Sequence, residues 1–167
     1  MHEIQYQKYL RDKSRNRSSR RTVVYLWCYR TMNSKSFFAL KFIAKLCNEI
    51  FKFSGMGIES KSIGAGFRMP HLNGIYIHKN ASLGENCTVF HQVTIGANEH
   101  KIDYSKAPQI GNRVYIGAGA KVIGDIVIGD DVRIGANAVV TKDVPAGMTV
   151  VGYNKMFVAE SERKGVL

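Results

Sequence analysis

Residues 108–147 read PQIGNRVYIGAGAKVIGDIVIGDDVRIGANAVVTKDVPAG. Aliphatic side chains recur at Ile110, Ile116, Val122, Ile128, Ile134 and Val140, a step of six, and the same step runs upstream through Ile77, Leu83, Val89 and Ile95. Four places after most of them stands a small or branched apolar residue: Ala81, Cys87, Val93, then Val114, Ala120, Ile126, Val132, Ala138 and Val144. Glycine often follows the aliphatic, as at Gly84, Gly111, Gly117 and Gly135. A period of six fits neither the 3.6 of a helix nor the 2 of a strand. It fits a parallel β-helix, in which each unit gives one short strand and one turn, and stacked coils bury columns of aliphatic side chains. Cys87 falls in the inward fifth-position row and reads as core, not as a nucleophile.

The rhythm breaks once, at ANEHKIDYSKAPQ (97–109), where Ile95 and Ile110 stand fifteen residues apart. A polar excursion leaves the prism there, and loops on a rigid scaffold tend to carry function. The chain therefore divides into a leader (1–53), a β-helix domain (54–152) interrupted by the 97–109 loop, and a C-terminal tail (153–167).

The leader is chemically distinct. It holds twelve Lys/Arg against three Asp/Glu, so +9 of the net charge of +11 belongs to it. RDKSRNRSSRR (11–21) has the composition of a solvated strip, and TVVYLWCY (22–29) is a short apolar run that suits helix or strand. In SFFALKFIAKLCNEIFKF (36–53) the polar residues Lys41, Lys45, Asn48, Glu49 and Lys52 fall on one helical face. Ser36 is the expected N-cap. This amphipathic helix suits packing on the rest of the protein or on a partner subunit, or peripheral contact with a membrane through its lysines. No apolar stretch is long enough to span a bilayer, and no secretory signal is visible. Cys28, Cys47 and Cys87 form no CxxC pair, which points to a reducing compartment and no metal site. Aromatic residues are sparse in the basic strip and no recognition motif appears, which argues against nucleic acid.

The stretches IGAGFRMPHLNGIYI (63–77), GENCTVFHQVTIGAN (84–98) and the one quoted first resemble the hexapeptide acyltransferases, most closely the serine acetyltransferase branch and its relatives in polysaccharide biosynthesis. The resemblance implies a left-handed parallel β-helix with an N-terminal α-helical segment, and a homotrimer with active sites between subunits. The implied reaction is acetyl transfer from acetyl-CoA, a co-substrate and not a bound cofactor, to a hydroxyl. His71, in PHLNGI, matches the family's catalytic histidine. An alcohol needs its proton removed as it attacks, and histidine suits that task near neutral pH. His91 and His100 are candidates for the acceptor site or a second histidine, whereas His78 takes a usual glycine position and reads as surface. Acetyl-CoA is expected along Gly117, Ala118 and Ala136, with Arg133 and Lys142 toward its phosphates.

Three departures bear on the acceptor. The acid that orients the histidine in the cysteine-biosynthesis enzymes would fall near Met56–Gly57, where the nearest acid is Glu59. The residue before His71 is Pro70 where those enzymes have aspartate, and their Arg-His pair is Lys106-Ala107 here. With two serine-holding features altered, the expected acceptor is a sugar or glycan precursor hydroxyl, and the expected location is the cytoplasm or the inner membrane face. A serine O-acetyltransferase of cysteine biosynthesis is the alternative enzyme. A catalytically silent binding or assembly module is the alternative of another class.

Overall fold

The computed structural model describes residues 2–16, 19–34, 38–53, 55–60, 62–98 and 105–158. Three helices come first: α1 (His2–Arg15), α2 (Arg20–Met32) and α3 (Phe38–Lys52). Short strands follow: β1 (Gly57–Ile58), β2 (Ser62–Ile63), β3 (Tyr76–Ile77), β4 (Ser82–Leu83), β5 (Thr88–Val89) and β6 (Thr94–Gly96). After the excursion come β7 (Gln109–Ile110), β8 (Tyr115–Ile116), β9 (Lys121–Ile123), β10 (Val127–Ile128), β11 (Arg133–Ile134) and β12 (Val139–Val140). β13 (Met148–Val151) and β14 (Lys155–Val158) end the described chain.

The strands assemble into three sheets, in the orders β1-β3-β6-β9-β12, β10-β7-β4-β2 and β14-β13-β11-β8-β5. All neighbours are parallel except β13 and β14. This is a three-sided parallel β-helix. Its register turns the six-residue period into columns. Ile77, Ile95, Val122 and Val140 stack on one side, Ile63, Leu83, Ile110 and Ile128 on the second, and Val89, Ile116, Ile134 and Val150 on the third. All twelve are buried. Coils approach so closely that a Cβ on Gly117 would lie 2.7 Å from Ala136 N. Burial pushes the Cys87 thiol above its ordinary range, as an inert core residue requires.

Coil length locates the irregularities. Val140 stacks on Val122 after eighteen residues, but Val122 stacks on Ile95 after twenty-seven, so the excursion adds nine residues to one coil. A second irregularity lies in the first coil. Asn86 and Gln92 sit over Gly66 and Gly74, through hydrogen bonds from Asn86 N to Ala65 O and from Gln92 N to Asn73 O. The upper pair is six residues apart and the lower pair eight. The first coil thus carries two extra residues, in the segment that holds His71.

The leader is more ordered than its composition suggests. The strip expected to be solvated lies partly in α1, and Asp12 and Asn16 are buried. The reason is the open edge of the first coil, whose peptide groups have no coil before them to pair with. Arg30 of α2 donates to Ile63 O and Gly64 O at 2.7 and 2.6 Å. Its Nε also meets Asp12 Oδ2 at 2.9 Å, and both side chains are almost wholly buried. Asp12 accepts from Phe67 N at 2.8 Å. Asn16 donates to Phe67 O at 2.8 Å and accepts from Met69 N at 2.9 Å. Thr22 donates to Met69 O, Tyr29 to Ser60 O, and Arg15 to Gly66 O. So side chains from α1, α2 and the residue after α1 cap the first coil. The expected N-cap Ser36 lies outside the described residues. Within α3, Ala44 is buried, and Phe51 packs edge-on against Tyr25 of α2 at 5.2 Å. Its opposite face leaves Phe42, Ile43, Leu46 and Ile50 more than half exposed. No described helix is long and apolar enough to cross a membrane. At the far end, part of the expected tail forms β14, paired antiparallel on β13.

Arg30→Leu removes one half of a buried pair and strands Asp12, Ile63 O and Gly64 O. Stability is expected to fall by about 3–5 kcal/mol, the range for breaking a buried ion pair from one side. The urea unfolding midpoint checks this.

Candidate active site

The first coil builds the site. The chain is pinned at Met69 by Asn16 and Thr22. It is pinned again at Asn73, whose carbonyl accepts from Gln92. Gly74 follows at φ +65°, a left-handed turn that suits glycine and returns the chain to β3. Between the pins stand Pro70, His71 and Leu72. The two surplus residues push this segment out of the wall, and His71 is exposed.

The His71 ring lies edge-to-face against His91, centroids 5.4 Å apart, and 6.4 Å from the ring of Phe90. Phe90 continues to Tyr115 at 5.2 Å. His91 Nδ1 is buried and has no hydrogen-bond partner. The structure thus brings the His71 and His91 rings together. His100 lies outside the described residues. His78 accepts from Asn80 N through its Nδ1 at 3.2 Å, a turn contact of the kind expected at a surface position. Glu59, the nearest acid in sequence, is exposed beyond β1, and its N–H donates to Ile77 O. Among the described residues no carboxylate hydrogen-bonds His71.

The donor side follows from the stacking. Gly119 N donates to His91 O, and Asn137 N to Ala118 O. His91, Ala118 and Ala136 therefore occupy one column on successive coils, along the corner between the second and third strand of each turn. Beyond His91 the column carries only the methyl groups of Ala118 and Ala136, a low path along that corner. Gly117 borders that path, but the 2.7 Å approach to Ala136 N shows that coil packing itself excludes a side chain there. Arg133 is exposed on the adjoining sheet. Lys142, also exposed, sits just after β12 at the next corner, on the side of the 97–109 excursion, so one chain does not bring it to the His91 column. Of the Lys106-Ala107 pair, Lys106 meets Asp125 at 3.0 Å and Ala107 is buried.

On the other side of His71 a cavity of about 550 Å³ opens toward the leader. Its walls are Pro70, His71 and Leu72 from the bulge, Arg21 from α2, and Ile50 and Phe51 from α3. Sequence reasoning missed these leader residues, because no periodicity ties position 21 to position 71.

Residues 107–142 match the family described as bacterial transferase hexapeptide (six repeats). The serine acetyltransferase of Helicobacter pylori strain J99 is 42% identical over 129 residues, covering 76% of this chain and 75% of that enzyme. The fold resembles the soybean serine acetyltransferase apoenzyme, with a TM-score of 0.71, 24% identity, and 90% and 67% of the two chains covered. It also resembles the native serine acetyltransferase 1 of Entamoeba histolytica, with a TM-score of 0.64 and 24% identity. That match covers 89% of this chain and 62% of the Entamoeba chain, so this protein spans less than two thirds of that enzyme. A three-sided hexapeptide coil, a projecting histidine at its first turn and these likenesses agree: the chain belongs to the hexapeptide-repeat acyltransferase superfamily, in its serine acetyltransferase-like branch, whose co-substrate is acetyl-CoA.

Proposed function

We propose that the protein is a serine O-acetyltransferase. The observation that carries this reading is the 42% identity to a serine acetyltransferase along three quarters of both chains, joined to the place of His71 between a narrow donor path and an acceptor cavity. The sugar hydroxyl expected from Pro70 and Lys106-Ala107 gives way, because the similar enzymes described above are named for serine. The altered residues instead mean that another group holds the amino acid.

In this reading acetyl-CoA lies along Ala118 and Ala136 with its thioester near His71. The serine hydroxyl enters from the cavity. A ring nitrogen of His71 takes the hydroxyl proton as the oxygen attacks the thioester carbonyl carbon. The tetrahedral oxyanion collapses, the C–S bond breaks, and the departing CoA sulfur recovers the proton from the imidazolium. Products are O-acetylserine and CoA, with no covalent enzyme intermediate and no net proton change on His71. His91 acts as a positioning residue: its ring fixes the plane of His71 in place of the missing acid. The assembly is a trimer with the site between subunits, its coils wound left-handed, and Arg133 and Lys142 reach the CoA phosphates from the subunits around one groove. These points rest on the family resemblance.

Acetyl-CoA consumption with L-serine, beside a panel of sugars and nucleotide sugars, tests the reading. Serine turnover that exceeds every sugar is expected, and sugar turnover without serine turnover would overturn it. His71→Ala should lower kcat by about 10²–10⁴-fold, the span of a lost general base, with unchanged thermal unfolding because the ring is exposed.

His91→Gln should lower kcat by about 10- to 100-fold, the cost of a misplaced reacting group, while KM for acetyl-CoA holds. An equal change in kcat and KM would assign His91 a substrate contact instead.

A further inference from the structure

The cavity beside His71 contains one fixed charge among its lining residues, the guanidinium of Arg21. Among the described residues no aspartate or glutamate lines it. Arg21 is exposed in the first turn of α2, just after Ser19, whose side chain accepts from Thr22 N and caps the helix. Among the described residues Arg21 has no ion-pair partner, unlike Arg11, Arg30 and Arg113, each of which meets a carboxylate. Ile50 and Phe51 supply an apolar wall, and Asn73 a polar floor beside the histidine. A small molecule seated there would lie within a lining that includes both Arg21 and His71.

The positions that departed from the serine-holding pattern place no charge among the lining residues of this cavity. Pro70 carries none, Ala107 is buried, and Lys106 is engaged with Asp125. We propose that Arg21 forms the carboxylate-binding subsite of the acceptor cavity, holding the acceptor's carboxylate while its hydroxyl faces His71. This inference rests on the serine reading. A guanidinium grips a carboxylate by two parallel N–H donors, which fixes the orientation of the acceptor as well as its position. The leader thereby contributes to substrate choice, and does so from within the same chain as His71.

The test compares L-serine with serinol, which keeps the hydroxyl and amine and replaces the carboxylate with a second alcohol. For the unaltered protein and for Arg21→Gln, kcat/KM is measured with both. The serine-to-serinol ratio is expected to fall by about 10- to 100-fold in Arg21→Gln, the loss of one charge-assisted hydrogen-bonded contact, with the change lying in KM for serine. Arg21→Lys should give an intermediate ratio. A ratio that stays within twofold overturns the subsite. The second arm needs no turnover. Phenylglyoxal modifies exposed arginines, and mass spectrometry of the Arg21 peptide follows its rate. L-serine and acetate should slow modification of Arg21 several-fold, while serinol at the same concentration should not. If the native protein acetylates no serine, the serine reading falls, and protection by acetate over serinol still decides the subsite. Equal protection, or none, overturns it.

Discussion

The buried pair between Arg30 and Asp12 governs the rest of the molecule. A parallel β-helix is satisfied in its interior, where each coil hydrogen-bonds its neighbours, and unsatisfied at its ends. Here the first coil presents carbonyls at residues 60, 63, 64, 66, 67 and 69 and amides at 67 and 69, and α1 and α2 meet all of them with side chains. Arg30 supplies two of these bonds only because Asp12 balances its charge in a dry setting. Burial pushes the Asp12 carboxyl up, and Arg30 with the Phe67 and Gly66 amides pulls it back. The helices are thus a matched cap as well as a basic appendage.

That cap also positions the chemistry. The segment it holds, residues 63–69, leads directly into the bulge with His71. Two surplus residues in an eighteen-residue coil would make a floppy loop if only one end were fixed. Asn16 and Thr22 hold one end, and the Asn73–Gln92 hydrogen bond with the Gly74 turn holds the other. A projecting side chain on a short, doubly pinned segment loses little entropy on reaching its reactive geometry. In the proposed reading stability and catalysis therefore share residues, since loosening Asn16 loosens both.

What could be read from the sequence follows from what repeats. Ile110, Val122 and Ile134 announce the prism because each is forced inward by the same geometry, and the fifteen-residue gap after Ile95 announces the excursion. The matching column of His91, Ala118 and Ala136 was half legible: the alanines came from family likeness, but their alignment under His91 needed the nine extra residues to be counted across a register. The leader was misread where composition was the only guide. Asp12, Arg15 and Asn16 look like part of a solvated strip because they meet backbone groups of the first coil, and backbone leaves no signature in side-chain composition. Arg21 was invisible as a site residue for a related reason. Its proximity to His71 is set by helix docking, which no local pattern encodes.

The site therefore has two halves of different origin. In the proposed reading the donor half is made by the repeat: the corner column carries only methyl groups at Ala118 and Ala136, which leaves room for an extended pantetheine arm. The acceptor half is made by helices that owe the coil only their buried contacts, namely Asp12, Asn16, Thr22, Tyr29 and Arg30. Residues on their outer surfaces, Arg21 and Ile50 among them, can change without disturbing a single coil hydrogen bond. If Arg21 holds the acceptor as proposed, a change of acceptor needs only a change in the leader, while the thioester chemistry stays fixed in the prism. The loss of an aspartate at Pro70 and of an Arg-His pair at Lys106-Ala107 is then compatible with an amino-acid acceptor, because the charge that those positions no longer provide can come from a helix already docked beside His71.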